Sequence, residues 1–210
     1  MLESHHFGPT LIVTTISFAF AVHYWWEGPA FVIAFGVFAG QLVVGWSNDL
    51  IDFEDDQKHN RTNKPLVSGL ITKGLLQKWL RFMVPFSFIA NIAGPLGIKG
   101  GLVYMLGIAC GVAYNFYFKF LSLSPLPYAI AFAALPSSIV ISKDMNPPTW
   151  MWLGGALFGM AAHFINVIKD MKEDHVSGIN GLPQKLGTRG SIIAAIILIA
   201  LGITTLALFL

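Results

Sequence analysis

Residues 29–56 read PAFVIAFGVFAGQLVVGWSNDLIDFEDD, an apolar run that ends in a group of acidic side chains. The apolar part, residues 29–47, matches the length of about 20 residues that a helix needs to cross a bilayer. The acidic part begins at Asn48 and places Asp49, Asp52 and Asp56 at i, i+3 and i+7, on one face of a helix. Carboxylates are costly next to hydrocarbon, so their concentration at the end of a membrane span indicates a functional site.

The composition of the whole chain is that of a polytopic membrane protein. Of its 210 residues, 55% are hydrophobic and 11% are charged, and the mean hydropathy is +0.65. Seven stretches are long and apolar enough to span, at 8–26, 29–47, 80–98, 100–118, 124–142, 149–168 and 191–210. We therefore predict an all-α bundle of about seven transmembrane helices, in a single domain over residues 1–210.

The distribution of basic residues predicts an orientation. Eleven of the thirteen Lys and Arg residues fall on one face of the predicted bundle, and only Lys99 and Lys143 fall on the other. By the positive-inside rule the first face is cytoplasmic. The sequence thus predicts an integral, multi-pass membrane protein with its N-terminus and its acidic groups on the cytoplasmic side. His5 and His6, ahead of the first span, are expected at the membrane interface rather than at a metal ion.

A second acidic group follows the apolar stretch 149–168. Asn166, Asp170 and Asp174 stand one helical turn apart, and eight of the chain's eleven acidic residues fall within the two groups. Clustered carboxylates repel one another, and Mg²⁺ suits them because it takes oxygen ligands that it shares with substrate phosphates. We therefore expect two helical faces that hold Mg²⁺ on either side of a diphosphate, where the metal stabilises the charge of the leaving group.

Other polar residues near these groups have two possible roles each. Lys58, Arg61 and Lys64 follow the first acidic group and are placed to contact phosphate oxygens, Arg61 in a bidentate manner. They also fit a simpler role as topology signals or contacts to anionic lipid. His163, within the stretch 149–168, fits either an acceptor pocket or a hydrogen bond in helix packing.

Together these motifs resemble the UbiA superfamily of intramembrane prenyltransferases. Residues 48–56 and the following 61–69, RTNKPLVSG, are similar to that family's N-D-x-x-D-x-x-x-D and R/K-P-L/I-x-S-G signatures. Residues 166–187 resemble its second D-x-x-x-D with a trailing L-G, and Tyr114 with Lys119 resembles its Tyr and Lys at the cytoplasmic end of helix 4. The resemblance covers essentially the whole chain in order.

The resemblance implies a reaction and a set of roles. A polyprenyl diphosphate is bound through Mg²⁺, its allylic C–O bond ionises, and an acceptor, most often an aromatic quinone precursor, captures the cation. The partners implied are the prenyl diphosphate, an aromatic or lipid acceptor and the lipid bilayer, without nucleic acid. The metal ligands implied are Asp52, Asp56, Asp170 and Asp174. The catalytic residues implied are Asn48, Asp49, Tyr114 and Lys119. The substrate-binding residues implied are Lys58, Arg61, Lys64, Asn166 and Lys119.

The chain also departs from the pattern that it resembles. Family members have about nine helices, so with seven spans the domain 1–210 is expected either to be C-terminally incomplete or to have a site open on one side. A CDP-alcohol-type membrane phosphotransferase is an alternative that would also carry aspartates at the cytoplasmic face. Its acidic motif would be expected to contain an Asp-Gly and an Ala-Arg, and neither accompanies Asp49–Asp56. A membrane transporter or an inactive fragment is a third interpretation.

Overall fold

The protein's structure, a computed structural model, describes residues 7–210, apart from the side chains at positions 7, 172, 173 and 175. His5 and His6 therefore lie outside the described residues. Within this range the chain forms seven α-helices and one 3₁₀ turn. The α-helices are α1 Phe7–Tyr24, α2 Glu27–Lys58, α3 Lys73–Ala93, α4 Gly97–Phe116, α5 Pro125–Ile141, α6 Thr149–Val176 and α7 Leu182–Phe209, and the 3₁₀ turn is Phe118–Phe120.

Four of the helices in the described part of the chain have the length and composition of membrane spans. Within the described range, α2, α4, residues Thr149–Met171 of α6, and α7 are each long and apolar enough to cross a bilayer. Two further apolar helices, Gly8–Tyr24 and Pro125–Ile141, are shorter. The predicted all-α transmembrane fold is confirmed.

Four helices differ in extent from the apolar stretches that predicted them. Helices α2 and α6 continue as helix through their acidic groups, so the carboxylates project from helix ends rather than from loops. Helix α3 begins at Lys73, where the Thr72 hydroxyl caps it by accepting from the Leu75 N–H at 3.2 Å. Helix α7 begins at Leu182, nine residues before the apolar stretch. Hydropathy marks only the part of a helix that lies in hydrocarbon, so it misses these polar ends.

Helix α2 is held in the bundle by polar side chains of its neighbours. Successive helices pack against one another, and α2 also contacts α4 while α1 contacts α5. The buried Asn91 amide of α3 donates to the Gly36 carbonyl at 3.0 Å, and the Tyr104 hydroxyl of α4 donates to the Val37 carbonyl at 3.0 Å. Interhelical hydrogen bonds of this kind hold membrane helices together. They place α2, which carries the first acidic group, in a defined position.

The two ends of the bundle carry different chemistry. At one end the Lys99 ammonium donates to Asp144 at 2.7 Å, and this bond with its charge holds the pKa of Asp144 below the ordinary value. The Lys143 ammonium lies 4.0 Å from the centre of the Trp25 ring at the same end. At the other end the Ser177 hydroxyl, just after α6, donates to Asp55 of α2 at 2.7 Å. Both acidic groups therefore lie at one end of the bundle.

Helix α7 contains a sharp kink close to that acidic end. Gly187 has a φ of 67° and a ψ of 177° inside the helix, a backbone conformation that side chains disfavour and glycine accepts. The kink separates the first turn of α7, which carries Pro183 and Gln184, from its long apolar part. This first turn packs back towards the end of α6.

Candidate active site

The first acidic group is organised around Asp52. The Asn48 amide donates to Asp52 Oδ2 at 2.8 Å, and the Lys119 ammonium donates to Asp52 Oδ1. Lys119 comes from the 3₁₀ turn after α4. Lysine side chains are long and usually extend into solvent, but Lys119 is only 7% exposed. Burial of the ammonium beside a carboxylate is tolerated because the two charges neutralise each other.

Asn115 of α4 fixes the position of Asn48 and of the end of α2. Its amide donates to the Val44 carbonyl at 3.0 Å and to the Ser47 hydroxyl at 3.3 Å, both on α2. Its own oxygen accepts from the Asn48 amide at 3.4 Å. Sequence reasoning missed Asn115, although a polar residue one turn before Lys119 in an apolar helix was a usable signal.

The bases that follow α2 fold back onto its acids. Asp56 is 1% exposed and accepts from Arg61 Nη1 at 3.2 Å, and it pairs with Lys64 Nζ at 2.5 Å. Lys64 Nζ also lies 3.7 Å from Asp49 Oδ1. The predicted residues Arg61 and Lys64 are therefore brought to the first acidic group, whereas Lys58 is an exposed residue at the last turn of α2.

The second acidic group lies on the last turns of α6. Asp170 and Asn166 are exposed, and the Asn166 side chain lies beside the Tyr128 hydroxyl of α5. Asp174 is half-buried and accepts from Gln184 Nε2 of α7 at 2.8 Å. Burial raises the pKa of Asp174, and the Gln184 hydrogen bond opposes that rise. Gln184 is a second residue that sequence reasoning missed.

Lys119 and Arg61 lie between the two acidic groups. Each is paired with a carboxylate of α2, and the positive charge of each also acts on Asp174 of α6 to lower its pKa, while the charge of Asp170 raises it. Lys119 and Arg61 therefore interact electrostatically with both the first and the second acidic group. Both acidic groups thus lie at the same end of the bundle and within the electrostatic reach of the same two cations.

The donor set at this site fits Mg²⁺ bound with a phosphorylated substrate. Among the residues that the structure describes, no three His, Cys, Asp or Glu side chains come close enough to hold a metal ion unaided. Mg²⁺ does not require such a group, because it is commonly held by one or two carboxylates with waters and substrate phosphates completing its shell. Carboxylate oxygens on two converging helices are ligands of the required kind.

Three rings lie beside the acids, between α4, α5 and α6. The ring centre of Tyr114 is 5.1 Å from that of Tyr128 and 5.4 Å from that of His163, and the last two are 4.7 Å apart. Tyr114 also interacts electrostatically with the carboxylates of both acidic groups. The predicted residue Tyr114 is thus at the junction between the acids and an aromatic cluster defined by Tyr114, Tyr128 and His163.

The comparisons with known proteins identify the family. The UbiA prenyltransferase family matches residues 10–210, nearly the full length of the chain. The chain belongs to the UbiA prenyltransferase family. The predicted membership and the predicted class of enzyme, a prenyltransferase, are thereby confirmed. The phosphotransferase and transporter alternatives gain no support from the comparisons.

Solved structures of UbiA homologues share this fold. A homologue from Archaeoglobus fulgidus bound to GPP and Mg²⁺ is 15% identical with a TM-score of 0.78, over 95% of this chain and 74% of that one. An apo homologue from Aeropyrum pernix K1 is 17% identical with a TM-score of 0.77, over 94% and 77%. A structure of digeranylgeranylglyceryl phosphate synthase is 18% identical with a TM-score of 0.67, over 94% and 70%. No curated protein matches the chain.

Proposed function

We propose that this chain transfers a prenyl group from a polyprenyl diphosphate to an aromatic acceptor in an Mg²⁺-dependent reaction. The observation that carries the proposal is the convergence of two acidic helix ends around Lys119 and Arg61. A diphosphate is multiply negative, so a site that binds it must combine cations with metal-ligating oxygens. This site combines both at the end of a lipid-embedded bundle. The homologue structure described as bound to GPP and Mg²⁺ supports the same interpretation.

Four aspartates are proposed to hold the metal. Asp52 and Asp56 come from the end of α2, Asp170 and Asp174 come from the end of α6, and all four would ligate Mg²⁺ through carboxylate oxygens. When bound, Mg²⁺ neutralises charge that develops on the leaving diphosphate. Asn48 and Asp49 orient this set, since Asn48 donates to Asp52 and Asp49 shares Lys64 with Asp56.

The bases are proposed to change partners when substrate binds. Lys119, Arg61 and Lys64 pair with carboxylates of α2, which neutralises their charges, and Lys119 and Lys64 are also buried. When the aspartates ligate the metal, these cations become available to the non-bridging oxygens of the diphosphate. Lys58 and Asn166, both exposed, are proposed to add contacts to the same diphosphate.

The aromatic residue Tyr114 is proposed to protect the reactive carbon. Heterolysis of the allylic C–O bond leaves the electron pair on diphosphate and a cation on the prenyl group. The electron-rich face of a tyrosine ring attracts a cation. Tyr114 lies beside the acids and inside an aromatic cluster, so it can shield the cation from water until the acceptor captures it.

The acceptor is proposed to be an aromatic precursor of a quinone. An electron-rich ring captures the allylic cation at C1 and then loses a proton. A glyceryl phosphate lipid is the second candidate, because one structural neighbour is described as digeranylgeranylglyceryl phosphate synthase. We further propose that residues 1–210 act as one domain with the site on the cytoplasmic side, because the basic residues cluster at the acidic end.

Diphosphate release tests the proposed function. The full chain in lipid nanodiscs is given geranyl diphosphate, Mg²⁺ and a mixture of aromatic acceptors, and released diphosphate is measured with and without EDTA. Asp52→Asn and Asp170→Asn should each lower release by about 100-fold or more, the scale of removing a group that stabilises transition-state charge. Asp144→Asn, an exposed aspartate at the opposite end, is the matched control and should leave release unchanged. Normal release by either active-site variant would refute the metal assignment.

A further inference from the structure

His163 is a buried polar residue that the proposed mechanism does not use. It is 1% exposed, and its Nε2 lies 3.0 Å from the Ser124 hydroxyl. Its Nδ1 is buried and has no hydrogen-bond partner among the residues that the structure describes. Buried polar atoms are almost always paired, so an unpaired ring nitrogen calls for a ligand or a specific role.

Counting the hydrogens of the two side chains assigns the proton of the imidazole. Ser124 is 1% exposed, and its hydroxyl oxygen already accepts from the Leu182 N–H at 3.1 Å. If Ser124 donates its hydrogen to His163 Nε2, every hydrogen of Ser124 is used and only the Nδ1–H is left over. The other tautomer leaves both the Ser124 hydrogen and the Nδ1 lone pair unused. The first assignment leaves fewer unpaired groups, so His163 Nδ1 is a hydrogen-bond donor.

The depth of His163 separates it from the diphosphate. It precedes Asp170 by seven residues on α6, a rise of about 10 Å into the bilayer. The phosphates are proposed to lie at the aspartates, so the group beside His163 is the reactive end of the prenyl chain or the acceptor. A hydrocarbon chain offers no partner to an N–H donor. The acceptor is therefore the substrate whose atoms can satisfy Nδ1.

The aromatic cluster supports a flat partner at this depth. The His163 ring contacts Tyr128 at 4.7 Å and Tyr114 at 5.4 Å between ring centres. Tyr114 is the residue proposed to face the allylic cation. An aromatic acceptor beside Tyr114 would lie next to the cation, with an oxygen within reach of the unpaired donor.

We infer that His163 Nδ1 donates a hydrogen bond to a ring-borne oxygen of the aromatic acceptor and so selects and orients it. The inference rests on the proposed function and deepens it by assigning an acceptor-binding residue. His163 binds the acceptor in this role and takes no proton from it. The acceptor class is a ring with a phenol, carbonyl or carboxylate oxygen near the carbon that is alkylated.

A purely structural role for His163 makes a different prediction. The contact with Ser124 joins α6 to the start of α7, because Ser124 also accepts from Leu182. If this tether were the whole role, losing either partner would loosen α7 and disturb Gln184 and Asp174 together. Ser124→Ala and His163→Phe would then have the same effect on stability and on binding of the prenyl diphosphate.

The test measures the two substrates separately. Full-length wild type, His163→Phe, His163→Gln and Ser124→Ala are compared in nanodiscs for the Mg²⁺-dependent Kd of radiolabelled geranyl diphosphate. Two aromatic acids, para-hydroxybenzoate and a dihydroxynaphthoate, serve as acceptors, and the KM for each acid and the Tm of each variant are measured in parallel. His163→Phe, which keeps a ring and removes the donor, should raise the acceptor KM about tenfold, equal to about 1.4 kcal/mol, with an unchanged Kd. His163→Gln, which retains an amide donor, should recover part of the loss.

Four other outcomes would overturn the inference, the acceptor class or the proposed function. An acceptor KM in His163→Phe and His163→Gln equal to that of wild type would overturn the inference alone. So would parallel losses of Tm and of geranyl diphosphate binding in His163→Phe and Ser124→Ala, which indicate the tether only. Geranyl diphosphate binding by wild type without transfer to either aromatic acid would overturn the aromatic acceptor class. Absence of Mg²⁺-dependent binding in wild type would overturn the proposed function, and this inference with it.

Discussion

The ammonium of Lys119 pairs with the carboxylate of Asp52, and this contact joins the connection after α4 to the acidic end of α2. Because Lys119 also acts electrostatically on Asp174 of α6, one cation is shared by both acidic groups. Such a cation is held ready for a diphosphate without being exposed to solvent.

Lys119→Met should weaken binding of the prenyl diphosphate. The variant keeps the length of the side chain and removes the charge, so the diphosphate loses a charge-assisted hydrogen bond of about 1.5–3 kcal/mol. We expect the Kd of geranyl diphosphate to rise about 10- to 100-fold, measured at saturating Mg²⁺. Lys99→Met, at the opposite end, is the matched control. Equal affinities of the two variants would argue that Lys119 serves only Asp52.

Asn115→Ala should lower turnover by disturbing Asn48 and Asp52. The amide of Asn115 fixes Asn48, so its loss frees the first acidic group to sample other geometries. We expect kcat to fall about tenfold, an effect of about 1.4 kcal/mol. Asn91→Ala is a close control, because Asn91 also donates to an α2 carbonyl at 3.0 Å but lies far from the acids. Asn91→Ala should lower Tm and leave kcat unchanged. The opposite pattern would count against a positioning role for Asn115.

Adjacent aspartates should differ sharply in their effect on activity. Asp56 is buried against Arg61 and Lys64 and is a proposed metal ligand, whereas Asp55 accepts from Ser177 and contacts His59. Asp56→Asn should lower diphosphate release by about 100-fold or more, on the scale of losing a transition-state charge partner. Asp55→Asn retains an oxygen for Ser177 and should stay within a few-fold of wild type. Similar losses in both variants would show that total acidity, and not ligand position, sets the activity.

Gly187→Ala should destabilise the protein through the kink in α7. A φ of 67° with a ψ of 177° is a conformation essentially restricted to glycine and costs a residue with a Cβ about 1–3 kcal/mol, so we expect a lower Tm in a detergent unfolding assay. Gly74→Ala is the control, since Gly74 lies in α3 with open space around its Cβ position. That substitution should raise stability by up to about 1 kcal/mol because alanine favours helix. A Tm for Gly187→Ala at or above wild type would show that α7 straightens without cost.

Hydropathy and residue spacing were enough to establish the membrane fold and the acidic composition of the site. Apolar length predicts a span because a bilayer has a set thickness. Helical spacing predicts that Asp49, Asp52 and Asp56 share a face because the period of the helix is constant. Hydropathy alone did not predict that α2 and α6 extend beyond the membrane through their acids, because it marks only the part of a helix that lies in hydrocarbon, whereas the helical spacing of the acids did indicate it.

Contacts between segments far apart in the chain could be identified only from the tertiary structure. The Asn115 bonds to Val44 and Asn48, the Gln184 bond to Asp174 and the Ser124 bond to His163 each join residues from different helices. Such pairs depend on how the helices pack and rotate against one another, which many residues determine jointly. The kinds of side chain in the site were therefore readable from local pattern, whereas their partners were settled by packing.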